Sequence, residues 1–228
     1  MENNLKKHYL ITLAALLNDI GIFEQRLSNN QSQDPKVYSI LFFERFIKNK
    51  TCLKNTDTDI IRQILENKNS DYINKLELAN QLDYLESGVN AKISGDIKPL
   101  VSILSQVQIS EDRPLPRGIH YYKPHILSQN SVFSESISKS ADLDLTKFQK
   151  EYTDLYIQFL KECELLPDTD LKTMIDNLLY LFEKYLCYIP INNGAELTDI
   201  SLFDHIKTVT ALTSCLVNND NEHKPFLI

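Results

Sequence analysis

Apolar residues recur every three or four positions along most of this chain, which is the spacing of one face of an α-helix. The opening stretch shows this pattern most densely, with apolar side chains at Leu10, Ile11, Leu13, Ala14, Leu16, Leu17 and Ile22. An apolar surface of that width covers more than one face. We therefore expect the rest of the fold to enclose this helix on most sides.

Shorter patterns with the same period predict further helices over residues 36–48, 57–66, 70–86, 100–107, 145–159 and 171–185, and a last helix that begins near Ser201. The helix over 171–185 is preceded by possible capping residues from Asp168 to Asp170 and is ended by Pro190. The pattern contains no internal repeat and no convincing pair of strands. The sequence is therefore predicted to be mainly α.

One segment cannot continue these helices, because it holds prolines at 114, 116 and 124 together with Gly118. We expect a long extended connection there, packed over the helical body. A single domain is predicted, composed of a helical lobe at about 1–109, the extended connection at about 110–134, C-terminal helices at about 135–218 and the start of a linker at 219–228.

Composition narrows the function classes. The chain has 228 residues, of which 43% are hydrophobic, and this is enough for one substantial core. Its net charge of -7 argues against a broad basic face for nonspecific nucleic-acid binding. The four cysteines have neither disulfide-framework nor zinc-ribbon spacing, and no apolar run reaches the ~20 residues that span a bilayer. We predict a cytoplasmic protein without membrane contact.

Candidate chemistry is confined to a few polar side chains on the predicted helices. Asn18 and Asp19 lie within the first apolar helical pattern, Asp83 follows Leu82 in a later one, and His205 shares the inward face of the last. His205 is either a core histidine with an ordinary hydrogen-bond partner or a metal ligand. Asp83 also has two readings. It either caps its helix or pairs with a neighbouring side chain, or it is an acidic metal ligand that lies far from the other ligands in sequence.

Other reaction classes have less support in the sequence. No phosphate-binding loop of the GxxxxGK or GxGxxG kind is present, and no GxSxG nucleophile motif occurs. His120 and His125 fall in the proline-rich connection, where we interpret them as surface residues.

Several segments together resemble the N-terminal HD domain of the large subunit of type III CRISPR effector complexes. They are LAALLNDIGIFEQR (13–26), QLDYLESG (81–88), YYKPHILS (121–128), CYIP (187–190) and DISLFDHIKTVTAL (199–212). The resemblance implies a circularly permuted, HD-like helical bundle, in which the histidine that comes first in ordinary HD proteins lies near the C-terminal end. KPFLI (224–228) resembles the start of the strand that leads into the palm domain of that subunit.

The resemblance also assigns roles to residues. In an intact HD site, adjacent His and Asp residues with a distant His and Asp hold a divalent cation that activates water against a phosphodiester. Asp19, Asp83 and His205 occupy the family's ligand positions, but Asn18 stands where the family has histidine, and a neutral carboxamide binds transition metals poorly. A histidine doublet of the family falls at about Ile64 and Leu65. Ile22 stands where the family commonly has lysine.

These substitutions predict that no catalytic residues remain and that metal binding is weak or absent. The leading hypothesis is a degenerate HD domain that acts as a structural module of the large subunit in RNA-guided antiviral defence. Its expected partners are the palm and other domains of that subunit, other effector subunits and the guide-RNA complex. No cofactor is expected.

Two alternatives stay open at this stage. One is an active metal-dependent nuclease that uses Asp19, Asp83 and His205 with manganese, nickel or cobalt, and that takes single-stranded DNA as a further partner. The other is a helical adaptor unrelated to CRISPR immunity. The Gly-Gly-Asp-Asp cyclase motif of the palm does not occur, so this chain alone is not expected to make cyclic oligonucleotides.

Overall fold

Helices form most of the protein, as the apolar periodicity predicts. The computed structural model describes residues 2–28, 33–68, 70–87, 98–103, 118–138, 143–191 and 199–218. Its helices are α1 (Glu2–Leu17), α2 (Gly21–Gln25), α3 (Pro35–Phe42), α4 (Asn55–Leu65), α5 (Ser70–Ser87), α6 (Leu145–Glu164), α7 (Leu171–Leu186) and α8 (Leu202–Asn218). The predicted helix over 36–48 is therefore α-helical only in its first part. A π-helical turn, Phe43–Ile47, continues it.

Short side chains at helix starts explain several of these boundaries. The carboxylate of Asp170 accepts a hydrogen bond from the backbone N–H of Thr173 at 3.1 Å, which confirms the predicted cap of α7. Asp144 caps α6 in the same way, through the N–H of Lys147. Each cap satisfies a backbone donor that has no partner within the helix.

The prediction that the chain lacks a strand pair is wrong. β1 (Leu100–Val101), β2 (Ile119–Tyr122) and β3 (Glu135–Ile137) form an antiparallel sheet in the order β1-β2-β3. The helix predicted over 100–107 is wrong at its start, which is β1, and residues 104–107 lie outside the described ranges. Strands of two to four residues are too short to show an alternating pattern, so the sequence gives no signal for them.

The sheet packs against the helical body, as expected for the extended connection. The ring of Tyr122 stacks on that of Tyr188 with 5.1 Å between centroids. The N–H of Leu127 donates to the carbonyl of Lys184 at the end of α7. His125 is exposed and His120 lies half-buried in β2, so neither enters the core. Residues 219–228, the predicted linker, lie outside the described ranges.

α1 lies at the centre of the core, where Leu13, Ala14, Leu16 and Leu17 have essentially no exposed surface. α8 packs along both α1 and α5, and α4 and α7 pack against α1. This arrangement brings the end of α1, the later turns of α5 and the start of α8 together. The three sequence segments that carry the candidate residues therefore meet at one place.

None of the helices in the described ranges is both long enough and apolar enough to cross a membrane. All four cysteines are free thiols, in agreement with their spacing.

Candidate functional site

The junction between α1 and α2 positions Asn18 and Asp19. The hydroxyl of Ser39 in α3 donates to the carbonyl of Asn18 at 2.8 Å and accepts from the N–H of Gly21 at 2.9 Å. A Cβ atom on Gly21 would lie 2.0 Å from the carbonyl oxygen of Pro35, so only glycine fits there. The first turns of α3 thus hold the junction from one side.

The start of α8 positions His205. The hydroxyl of Ser201 accepts from the N–H of Asp204 at 3.0 Å and donates to its carboxylate at 2.6 Å, which caps the helix. Ser201 also pairs with Pro190 through an isolated antiparallel bridge. The imidazole of His205 therefore projects from a fixed first helical turn, and the residue is 1% exposed.

Both ring nitrogens of His205 contact carboxylates. Nδ1 lies 2.6 Å from Oδ2 of Asp83, and Nε2 lies 3.2 Å from Oδ2 of Asp19. A carboxylate can only accept a hydrogen bond, so both nitrogens can donate only when the ring is the imidazolium cation. Because the two nitrogens point away from each other, the carboxylates lie on opposite sides of the ring.

The electrostatics of this site favour the ionised forms of His205 and Asp19. Burial alone would lower the pKa of His205, but the hydrogen bonds and charges of Asp19 and Asp83 outweigh it and raise the pKa to about 9. Burial opposes ionisation of Asp19, yet the hydrogen bond and charge of His205, with smaller effects from Asn18 and Lys36, leave its pKa below the usual value. His205 and the two carboxylates therefore form an ion-pair cluster that is largely enclosed by the protein.

Asn18 belongs to this cluster through its amide. Its Nδ2 donates to Oδ2 of Asp19 at 3.0 Å, and the side chain is 2% exposed. Its Oδ1 is buried without a hydrogen-bond partner among the described residues. The atom that Asn18 turns toward Asp19 is thus a proton donor, which has no lone pair for a metal ion.

The remaining positions carried over from the resemblance lie in the apolar core. Ile64 and Leu65 are each 1% exposed, and Ile22 is 5% exposed. Among the residues that the structure describes, no group of three or more His, Cys, Asp or Glu side chains is placed to hold a metal ion. The contacts of Asp19 supply one imidazole nitrogen, Nε2 of His205, and one carboxamide N–H, that of Asn18. A transition metal requires several imidazole or carboxylate lone pairs directed at one point.

Sequence reasoning missed two residues that shape this site. Ser39 lies 18 positions after Gly21 along the chain, and its role depends on how α3 packs against the junction. Lys36, near the start of α3, contributes favourable charge to Asp19. Neither residue carries a local motif, so no pattern in the sequence alone identifies it.

Comparison with known proteins identifies the relatives of this chain, although no family model matches it. It is 25% identical over 241 residues to the CRISPR system single-strand-specific deoxyribonuclease Cas10/Csm1 (subtype III-A) of Methanocaldococcus jannaschii, an alignment that covers 93% of this chain and 28% of the relative. The homology lies in the N-terminal region of that relative. It spans little more than a quarter of that relative's length.

Solved structures show the same fold. Csm1 of T. onnurineus matches with a TM-score of 0.60 and 18% identity over 94% of this chain and 29% of that chain. The Csm1-Csm4 subcomplex of a type III-A interference complex matches with a TM-score of 0.52 and 18% identity, over 92% of this chain and 28% of that chain. The mainly helical fold predicted from the sequence is thereby confirmed.

Proposed function

We propose that this chain is a catalytically degenerate HD domain that serves as a structural module of a type III CRISPR large subunit. The observation that carries the proposal is the contact of His205 with Asp19 and Asp83 through both ring nitrogens. The imidazolium supplies the positive charge that a cation supplies in an intact HD site. Each carboxylate then has a positively charged hydrogen-bond donor within the chain itself.

Three further observations support the loss of catalysis. Asn18 presents an N–H group to Asp19, where the family has an imidazole lone pair. Ile64 and Leu65 are core residues, where the family has a histidine doublet. Asp83 contacts Nδ1 of His205 and therefore lies on the side of the ring away from Asp19. It orients His205 and does not join Asp19 around a common ion.

The partners in this proposal are the remaining domains of the large subunit and a neighbouring subunit of the kind named in the Csm1-Csm4 structures. In this proposal the domain, which spans about 28% of its relative's length, packs against the other domains of the large subunit. The proposed contribution of this domain is the surface that it offers to that assembly.

The alternative is a metal-dependent nuclease for single-stranded DNA. It is favoured by the deoxyribonuclease activity named for the relative and by the 3.2 Å between Nε2 of His205 and Oδ2 of Asp19, a separation that two ligands of one ion can have. The donor set argues against it, because among the described residues no group of three His, Cys, Asp or Glu side chains is placed to hold an ion.

Two measurements on the purified chain separate the proposals. Single-stranded DNA is incubated with manganese, nickel or cobalt, beside an Asp19→Ala control that has lost the central carboxylate. We expect no cleavage above that control and less than ~0.1 equivalent of bound metal by elemental analysis. Cleavage or near-stoichiometric metal that disappears in Asp19→Ala would establish the nuclease.

The structural role is tested by assembly. A large subunit that lacks this domain is mixed with the chain, and complex formation is followed by size-exclusion chromatography. We expect the two parts to elute together, and Asp19→Ala to associate like the wild-type chain when it is folded. Separate elution under all salt conditions would contradict a role in assembly.

A further inference from the structure

We infer that Ser39 is a positioning residue, which holds the backbone of the α1–α2 junction so that the Asp19 carboxylate meets Nε2 of His205. This inference rests on the proposed function, because it concerns how the ion-pair cluster is kept in place. Ser39 lies in α3 and contacts neither ring nitrogen. It acts through the backbone on either side of Asp19.

The hydroxyl of Ser39 makes two hydrogen bonds that enclose the junction. It donates to the carbonyl of Asn18, the residue before Asp19, and accepts from the N–H of Gly21, two residues after it. A single oxygen therefore fixes the backbone on both sides of the aspartate. Both bonds are buried and Ser39 is 0% exposed, so water cannot replace them.

The contact of Asp19 with His205 depends on this fixation more than the contact of Asp83 does. Asp83 is carried by the regular helix α5 and lies 2.6 Å from Nδ1. Asp19 follows the end of α1, in the two-residue turn before Ile20 and α2, and lies at the longer distance of 3.2 Å from Nε2. Movement of the junction would therefore lengthen the Asp19 contact first.

Glycine at position 21 makes the arrangement possible. A Cβ atom there would lie 2.5 Å from the backbone nitrogen of Ser39 and 2.8 Å from its hydroxyl oxygen. The close approach of α3 that the two hydrogen bonds require is thus available only to glycine. Gly21 of α2 and Ser39 of α3 therefore form a single close contact between the two helices.

The test compares Ser39→Ala with Ser131→Ala in the chain labelled with ¹⁵N-histidine. Ser131 is a matched control, because its hydroxyl also bonds backbone groups on either side of one residue, Leu127, namely the N–H of Ser128 and the carbonyl of Ile126. We expect two imidazolium N–H resonances for His205 in the wild-type chain at pH 7. In Ser39→Ala, solvent exchange of the Nε2 proton accelerates by at least about tenfold while that of the Nδ1 proton does not.

Ser39→Cys keeps the shape of the side chain and a weak donor, with a larger sulfur in place of the oxygen, so an intermediate exchange rate is expected. It decides the question if Ser39→Ala does not fold. The carboxyl ¹³C resonance of Asp19 provides a readout that does not depend on the charge of His205. It shifts in Ser39→Ala even if His205 proves neutral, in which case the proposed function fails and the role of Ser39 stands.

Equal Nε2 exchange and an unchanged Asp19 resonance in a folded Ser39 variant would overturn the inference. The same change in Ser131→Ala would also overturn it, since the effect would then reflect general loosening of the fold.

Discussion

His205 donates from Nδ1 to Oδ2 of Asp83 at 2.6 Å, and this contact joins the start of α8 to the later turns of α5. Both side chains are largely enclosed, with exposed fractions of 1% and 13%. A charged hydrogen bond in such surroundings is stronger than one at the surface. It connects two helices that are distant in sequence, so we expect it to contribute to stability.

Asp83→Asn removes the charge and keeps the shape. We expect the free energy of unfolding to fall by roughly 1.5–3 kcal/mol, the range for a hydrogen bond to a charged group. Urea denaturation at pH 7 measures it. Asp154→Asn, at an exposed position of α6, is the control and should stay within about 0.5 kcal/mol of wild type. Equal effects of the two substitutions would refute a stabilising role for the His205–Asp83 contact.

The charge of His205 predicts how stability depends on pH. Its pKa is raised from 6.5 to about 9 in the folded state, so the folded protein holds more protons than the unfolded chain between these values. The corresponding stabilisation is complete below pH 6.5 and is lost as the pH rises through about 9. Asp19 has a lowered pKa, so its contribution is present above 3.8 and is lost under more acidic conditions.

Chemical denaturation from pH 6 to 9.5 checks this expectation, with His205→Gln as the control. Glutamine keeps a polar side chain but has no proton to lose. The decrease in the free energy of unfolding above pH 6.5 should be smaller in His205→Gln than in wild type. Parallel curves for the two proteins would mean that His205 is neutral in the folded state.

Much of the helical framework could be predicted because buried helices leave a periodic signal. The order and approximate bounds of α4, α5, α6, α7 and α8 follow from apolar residues spaced by three and four. The sheet could not be predicted, because β1 contains two residues and pairs with Tyr121 and Tyr122 across a distance set by the tertiary fold. No local pattern encodes such a pairing.

The sequence predicts which residues form the candidate site, but it does not predict how they are arranged. The resemblance singled out Asp19, Asp83 and His205, and the structure brings them into contact. It could not show that Asp83 and Asp19 lie on opposite sides of the ring, which depends on the packing of α5 and α1 around α8. The contacts of Ser39 could not be predicted either, because they depend on how α3 packs against the α1–α2 junction.

Asn18→His tests whether one added imidazole is enough for the site to bind a metal ion. The substitution adds one imidazole beside Asp19 and His205, so we expect measurable binding of manganese, nickel or cobalt by calorimetry, at least about tenfold tighter than in wild type. Cleavage of single-stranded DNA should still be absent, because Ile64 and Leu65 supply no further ligands. Asn18→Gln, which changes the size of the side chain without adding an imidazole, is the control.

Two results would contradict this expectation. Wild-type affinity equal to that of Asn18→His would mean that the present donor set already binds metal. Cleavage by Asn18→His alone would mean that the residues at 64 and 65 are not needed, and that a single substitution separates this chain from a nuclease.

Gly21→Ala should be among the most damaging single-methyl additions in the protein. The new Cβ would meet two backbone atoms, the carbonyl oxygen of Pro35 at 2.0 Å and the nitrogen of Ser39 at 2.5 Å, and backbone cannot move aside as a flexible side chain can. We expect the free energy of unfolding to fall by about 3 kcal/mol or more, at the upper end of overpacking effects. Thermal or urea unfolding measures the loss.

Ala211→Gly, at an exposed position of α8, is the control with an expected cost of about 1 kcal/mol from helix propensity. A Gly21→Ala protein as stable as this control would show that α3 can withdraw from the junction at little cost, and the contact between Ser39 and the backbone around Asp19 would then be dispensable.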